Sequence, residues 1–209
     1  EVTLFNRGIT NVHLFPGVEK RRGDRTLDGG LAALQGNRTW DVVIDTWQAH
    51  PKAVHAATAL LAGRTGSYVY VSSIAVYGGF RKTGLTEADP ILPLAGAPAL
   101  DDPTIGYLWA KRLGEAALDA NLKDTGGIVV RGSSIWGYDY SKLPTNQNAY
   151  WPLRVRAGGD VVAPGDGSDL VQWSDAAALA DLAIKLGVEQ RAVAVNAVNP
   201  SDSFRDLLE

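Results

Sequence analysis

The sequence contains no cysteine among its 209 residues. This absence excludes disulfide bonds, thiolate metal sites and a cysteine nucleophile. Long apolar runs are also missing, and no stretch reaches the roughly 18 residues that a membrane span requires. No secretory signal is recognisable at the start of the sequence. We therefore expect a cytoplasmic protein without a membrane partner.

An excess of positive charge is missing as well. The 20 lysines and arginines against 23 aspartates and glutamates leave a net charge of −3, so no overall basic field attracts nucleic acid. The three histidines have no metal-ligand arrangement with neighbouring carboxylates, so no metal site is predicted. The hydrophobic share of 45% is typical of a globular protein with one core and at most a small annex.

Short β-branched runs alternate with longer segments of helical period, which is the pattern of an α/β protein with a mostly parallel sheet. Val42 to Ile44 and Ile128 to Val130 are apolar on successive residues, as expected of strands covered on both faces. Strands are predicted at Val2–Phe5, Val18–Arg21, Asp41–Asp45, Ser67–Ser72, Gly127–Arg131 and Ala192–Val195. Helices are predicted at about Leu27–Leu34, Pro51–Leu61, Tyr107–Leu122, Trp151–Ala157 and Asp175–Leu186.

Glycine, proline and polar residues cluster near Gly137 to Pro144 and predict a boundary between two domains there. Residues 1–136 would form a dinucleotide-binding domain. Residues 137–209 would form mainly a substrate-binding annex, plus a helix and a strand that return to the sheet. The interval from Gly78 to Gly106 is predicted to be a long loop beside the site, since loops of that length are commonly functional.

Tyr107 and Lys111 are four residues apart and therefore lie on one face of a predicted helix. A lysine ammonium favours the phenolate form of a neighbouring tyrosine, which suits a tyrosine that acts as a general acid or base. The spacing is common, and Tyr138 with Lys142 is a second match. We favour Tyr107 because it opens a segment with helical periodicity, whereas Tyr138 lies in a predicted loop.

The strand that ends in Ser72 and Ser73 continues into Ile-Ala-Val-Tyr-Gly, and Tyr107 with Lys111 follows. This combination resembles the extended or atypical short-chain dehydrogenase/reductases, the NAD(P)-dependent epimerase/dehydratase group. The resemblance implies a Rossmann-type doubly wound parallel sheet and a Ser-Tyr-Lys site. It implies that Ser73 bonds the substrate oxygen, that Tyr107 transfers the proton and that Lys111 binds the nicotinamide ribose.

The resemblance also implies which other residues contact the cofactor. Asn6 and Arg7 lie where the adenosine ribose is recognised, and Arg7 favours NADP over NAD because a guanidinium pairs with a 2′-phosphate. Asp24 would contact the adenine, although an aspartate after Gly23 is also a common turn residue. The remaining predicted cofactor contacts are Arg25, Thr46, Trp47 and Ser72.

The sequence departs from the family pattern at its start. The family has a first strand and a Gly-rich turn that holds the pyrophosphate, and no such turn occurs among these residues. We expect roughly 20–30 further N-terminal residues that supply this strand, turn and helix. In the strand order 3-2-1-4-5-6 their absence would leave a gap between the strands at Val2–Phe5 and Asp41–Asp45.

Aromatic and basic residues cluster in the predicted annex. Trp136, Tyr150 and Arg154 are candidates for stacking a nucleobase or sugar and for pairing with a phosphate, whereas tryptophans of α/β proteins more often belong to the core.

The sequence thus predicts an NAD(P)-dependent oxidoreductase, epimerase or dehydratase acting on a carbonyl or hydroxyl group, with a nucleotide sugar as one possible substrate. A homodimer formed through the helices at Pro51–Leu61 and Tyr107–Leu122 is expected from the resemblance. The alternative is a non-catalytic nucleotide-sensing or RNA-associated relative, against which the net charge and the complete Ser-Tyr-Lys set argue.

Overall fold

The computed structural model describes residues 1–79, 82–123, 125–137, 150–163 and 165–209. The ten strands described are β1 Thr3–Asn6, β2 Glu19–Arg22, β3 Trp40–Asp45, β4 Thr65–Ser73, β5 Gly127–Gly132, β6 Ser134–Trp136, β7 Leu170–Val171, β8 Trp173–Asp175, β9 Ala194–Ala197 and β10 Asp202–Ser203. The α-helices described are α1 Lys52–Leu61, α2 Tyr107–Asn121, α3 Tyr150–Arg156, α4 Ala176–Val188 and α5 Phe204–Leu208.

The centre of the fold is a parallel sheet in the order β3-β4-β5-β9. Alternate residues of β4 face opposite sides, so Tyr68 and Tyr70 pack with α1 and α2 while Val69 and Val71 pack with α4. Burial on both faces explains why these strands are apolar on successive residues. The predicted α/β fold with a parallel sheet and flanking helices is confirmed.

β1 and β2 form a separate two-stranded parallel sheet. Within the described residues, β1 has no strand partner besides β2, and β3 has none besides β4. A cavity of about 450 Å³ lies between β1 and β3 and is lined by all four residues of β1 and most of β3. The gap that was expected between these two strands is therefore present.

The helix predicted at Leu27–Leu34 is wrong. Only a 3-10 turn at Ala32–Leu34 forms there, preceded by successive turns. Gly29 has a φ of +72°, and a Cβ at Gly30 would lie 1.7 Å from the Asp24 carbonyl oxygen. The chain therefore folds back on itself at these glycines instead of continuing as a helix.

The other predicted helices and strands agree with the structure to within about two residues at each end, the usual uncertainty of element boundaries. Four short strands, β6, β7, β8 and β10, and the short helix α5 were not predicted. β6 pairs with β8 in parallel and β7 pairs with β10 in antiparallel fashion. β9 returns to the central sheet beside β5, while the division at residue 137 stays a prediction. The described part of the chain contains no helix suited to crossing a membrane.

Candidate active site

Lys111 lies in the first turns of α2, and its side chain is buried beneath the carboxyl ends of β3 and β4. Its Nζ donates to the carbonyl oxygens of Trp47 and Val71, both at 2.7 Å. Burial lowers the pKa of Lys111 from its ordinary value of 10.5 to about 8, although the charges of Asp45 and Glu115 oppose this decrease. An ammonium has three N–H donors, so one remains for another partner.

Tyr107 is the first residue of α2 and is 52% exposed. The Lys111 Nζ lies 5.9 Å from the centre of its ring. An exposed phenol one helical turn from a buried ammonium is an arrangement in which a proton can pass between the phenol and a ligand while the positive charge stays fixed.

Ser73 ends β4 at the edge of the sheet where α2 begins. Its Oγ accepts a bond from the Ala75 backbone N at 3.2 Å and so caps the 3-10 turn at Ile74–Tyr77. This turn packs against α2. The structure therefore brings Ser73 to the carboxyl edge of the sheet, as the family resemblance implied; contact between Ser73 and the Tyr107 phenol stays a prediction.

Ser72 belongs to a buried polar network beneath this edge. Its Oγ donates to Glu115 Oε1 at 2.6 Å, and Arg131 donates to both oxygens of Glu115 at 3.0 Å. Arg131 also donates to the Tyr77 hydroxyl at 3.0 Å, which in turn donates to Asn196 Oδ1 at 2.9 Å. The Ser72 hydroxyl proton is thus directed into the protein, and the contact of Ser72 with the cofactor stays a prediction.

Arg25 is directed to an internal partner as well. Its guanidinium forms a bidentate pair with Asp45 at the end of β3, at 2.6 and 2.8 Å, and the Tyr68 hydroxyl donates to the same carboxylate at 2.5 Å. Burial opposes ionisation of Asp45, but these bonds and the Arg25 charge hold its pKa below the ordinary value. Arg25 therefore joins the loop after β2 to the central sheet.

The segment after β3 contains Thr46 and Trp47, the remaining residues that were predicted to contact the cofactor. Thr46 is exposed and lines the cavity between β1 and β3. The Trp47 ring packs against the core beneath α1 and α2, with the Arg25 guanidinium 5.1 Å from its centre, and its Nε1 donates to the His50 carbonyl at 2.9 Å. The bulk of Trp47 is thus accommodated against Arg25 and this core.

The tip of β1 carries Asn6 and Arg7. Asn6 Oδ1 accepts bonds from the Gly8 backbone N and from Arg22, while the Arg7 side chain is exposed. Asp24 accepts from the backbone N and hydroxyl of Thr26 at 3.0 and 2.6 Å, and these bonds, with a smaller effect of the Arg7 charge, lower its pKa. Asp24 therefore stabilises a turn with Thr26, and its contact with the adenine stays a prediction.

The three candidate substrate residues lie on different elements. Trp136 on β6 packs against Trp173, with ring centres 5.9 Å apart. Tyr150 begins α3 and is exposed, 4.9 Å from the Trp151 ring in an edge contact. Arg154 donates to the Gly158 and Asp160 carbonyls and so closes the end of α3.

Tyr138 and Lys142, the second match to the tyrosine and lysine spacing, lie outside the described residues. Among the residues that are described, no cluster of three or more histidines and carboxylates is arranged to hold a metal ion.

Sequence reasoning missed the partners that hold these side chains. Asp45 was identified only as the last residue of a predicted strand, and the packing of Arg22 against Gly8 and Asn6 was not foreseen. An aspartate at the end of an otherwise apolar strand was a usable signal, since a buried carboxylate requires a partner. Its pairing with Arg25, 20 residues away, had no local signal.

No protein-family model matches the chain, and no curated protein matches it either. Solved structures do match over the whole chain. A putative epimerase from Burkholderia cenocepacia aligns with a TM-score of 0.73 at 17% identity, covering 100% of this chain and 70% of that one. The chain shares the fold of this structure.

Two further structures show the same likeness. A UDP-N-acetylglucosamine 4-epimerase from Methanobrevibacter ruminantium has a TM-score of 0.71 at 16% identity, over 99% of this chain and 72% of that one. The Bordetella bronchiseptica enzyme WbmG, solved in complex with NAD, has a TM-score of 0.70 at 15% identity, over 100% and 68%. At these identities the comparison establishes the Rossmann-like fold that the resemblance implied.

Proposed function

We propose that this protein is an NAD(P)-dependent oxidoreductase of the epimerase/dehydratase type that acts on a carbonyl or hydroxyl group of a nucleotide sugar. The observation that carries the proposal is the placement of Lys111, buried under the carboxyl ends of two parallel strands and one helical turn from the exposed Tyr107. Ligands of open α/β sheets bind at this edge.

Each side chain has a role that follows from its surroundings. Tyr107 is exposed, so its phenol exchanges a proton with the substrate oxygen. Lys111 is fixed by two carbonyl oxygens, so its charge stays beside the phenol and stabilises the phenolate that forms when the proton leaves. Ser73, at the end of β4, forms a hydrogen bond to the same substrate oxygen and orients it.

The residues at this edge fit a dinucleotide. Thr46 follows β3 and Ser73 ends β4, the parallel neighbour of β3, while Asn6 ends β1 across the cavity. The third N–H of Lys111 is suited to a ribose hydroxyl. When bound, the nicotinamide accepts or donates the hydride. Arg25 and Ser72 act indirectly in this proposal, by holding Asp45 and Glu115.

NADP(H) is the cofactor that Arg7 favours. Its exposed guanidinium lies at the tip of β1 and is suited to a 2′-phosphate. Arg22 is a second guanidinium at this tip, held beside Asn6. WbmG was solved with NAD, so the preference is a property proposed for this chain and its own residues.

The substrate class rests on the names of the structural neighbours, which include a UDP-galactose 4-epimerase and a dTDP-glucose 4,6-dehydratase. Tyr150 and Trp136 are the proposed stacking residues for the nucleotide. A homodimer formed through α1 and α2 completes the proposal. The RNA-associated alternative has no specific observation in its favour.

The experiment measures NADPH and NADH binding by fluorescence, followed by turnover of UDP-galactose and dTDP-glucose. Tyr107→Phe is expected to cut turnover by about 10²–10⁴ and to leave the cofactor Kd unchanged, since it removes only the transferable proton. The matched control is Tyr138→Phe, which is expected to retain activity. Failure of the protein to bind either dinucleotide, or an active Tyr107→Phe enzyme, would overturn the proposal.

A further inference from the structure

Tyr70 lies directly beneath the Lys111 ammonium. The Lys111 Nζ is 4.9 Å from the centre of the Tyr70 ring, closer than it is to the ring of Tyr107 at 5.9 Å. Both distances are within the range of a cation–π contact, which is stronger where water is excluded. Tyr70 is fully buried in the middle of β4, so its ring meets the ammonium without competing solvent.

The position of this ring is fixed by α2. Gly114 faces the Tyr70 phenol so closely that a Cβ there would lie 2.5 Å from the hydroxyl oxygen and 2.6 Å from the adjoining ring carbon. Any larger residue at position 114 would displace the ring. The helix therefore carries a glycine one turn after Lys111 at the point where the aromatic ring needs room.

The charges around Lys111 do not by themselves supply a dedicated counter-ion. Asp45 on β3 is paired with Arg25, and Glu115 on α2 is paired with Arg131. Tyr107, on the same helix, and the Tyr70 phenol, whose pKa burial raises, are further titratable groups near the ammonium. Two carbonyl oxygens and the face of the Tyr70 ring remain as its immediate neutral partners.

We propose that Tyr70 is a positioning residue whose buried ring keeps Lys111 in its charged form and in place beside Tyr107. The proposal rests on the proposed function, because it assigns Tyr70 a part in preparing that same site. A negatively polarised ring face attracts the ammonium but accepts no proton, so the charge remains on Lys111.

The test measures the titration of Lys111 itself and needs neither cofactor nor substrate. Carbon-13 NMR of the lysine Cε atoms gives the pKa of each lysine, and a Lys111→Met spectrum assigns the signal. Tyr70→Leu is expected to lower the pKa of Lys111 by about half to one and a half pH units, because the cation loses its aromatic partner. Tyr70→Phe, which keeps the ring, is expected to leave it nearly unchanged.

Val129→Ala is the matched control, since Val129 belongs to the same core cluster as Tyr70 and carries no aromatic ring. An equal Lys111 titration in Tyr70→Leu and Val129→Ala, or a raised pKa in Tyr70→Leu, would overturn the proposal. Gly114→Ala displaces the ring without deleting it and is expected to lower the Lys111 pKa as well. If Tyr70→Leu does not fold, the Lys111 pKa of Gly114→Ala tests the proposal in its place.

Activity adds a second readout. In the active enzyme, Tyr70→Leu is expected to move the alkaline limb of the kcat/KM profile to lower pH, and Tyr70→Phe is expected to restore it. If the Lys111 pKa is unchanged in Tyr70→Leu while Tyr107→Phe is inactive, the role of Tyr70 is excluded and the proposed function stands. If the Lys111 pKa is lowered in Tyr70→Leu while Tyr107→Phe is fully active, the proposed function is excluded instead.

Discussion

Arg25 bonds both carboxylate oxygens of Asp45 and thereby links the loop after β2 to the last residue of β3. The two residues belong to parts of the molecule whose strands share no ladder hydrogen bond among the described residues. The pair is largely buried, and Arg25 Nη2 also donates to the Ala53 carbonyl at 3.0 Å. It is therefore a principal polar connection across the cavity between β1 and β3.

Removing one partner of this pair is expected to destabilise the protein strongly. Arg25→Met leaves a buried carboxylate without its guanidinium, and breaking a buried pair in this way costs about 3–5 kcal/mol. Urea denaturation at neutral pH measures the change. Lys82→Met is the control, because the Lys82 side chain is exposed and its pair with Asp89 is expected to contribute little. Equal urea midpoints for the two variants would contradict the expectation.

The same pair predicts how stability depends on pH. The folded state holds the pKa of Asp45 below its ordinary value, so this group stabilises the protein above that ordinary value, about 3.9. The contribution disappears as the pH falls through the lower, folded-state pKa. We expect Asp45→Asn to be less stable than the wild type at pH 7 and to lose less stability between pH 5 and pH 2. Parallel pH profiles for the two proteins would exclude this role.

Arg7 is expected to set the choice of cofactor. Arg7→Ala should weaken NADPH binding by about tenfold or more while leaving NADH binding nearly unchanged, because only NADPH offers a phosphate to the guanidinium. Fluorescence titration with both dinucleotides measures the ratio. Arg156→Ala, on α3, is the control for a general loss of positive charge. A wild-type protein that binds NADH at least as tightly would exclude the preference.

The cavity between β1 and β3 is expected to accept an extended segment that pairs with both strands. A strand, a Gly-rich turn and a helix joined ahead of Glu1 should raise the urea midpoint, because the unpaired backbone groups of both edges gain partners. The control carries a proline in the centre of the added strand, which removes a ladder donor. If both versions are equally stable, the segment does not enter the cavity.

Sequence reasoning succeeded where local physics determines the outcome. The apolar runs in β3 and β5 identified strands buried on both faces, and the four-residue spacing correctly placed Tyr107 and Lys111 one helical turn apart. The segment Leu27–Leu34 failed because its apolar spacing was given more weight than the adjacent glycines, whose backbone requirements dominate.

Other features depend on residues that are distant in the sequence. Ser72 looks like a free hydroxyl at a strand end, but it donates a hydrogen bond to Glu115, which lies on a helix 43 residues further along the chain. Arg154 was predicted as a phosphate ligand from its charge alone, and its bonds to the Gly158 and Asp160 carbonyls just after its own helix had no signal in the sequence. Hydrogen-bond partners decide whether a polar side chain faces a ligand, and such partners emerge only from the packing.

The separation of β1 and β2 from the central sheet has a consequence for cooperativity. β1 and β2 are short and, among the described residues, pair only with each other, so we expect them to open locally while β4 and β5 stay intact. Amides of β4, at the centre of the buried sheet, would then exchange with solvent only through global unfolding. Amides of β1 would exchange through a local opening of lower free energy, and that opening would also loosen the end of the site that carries Asn6 and Arg7.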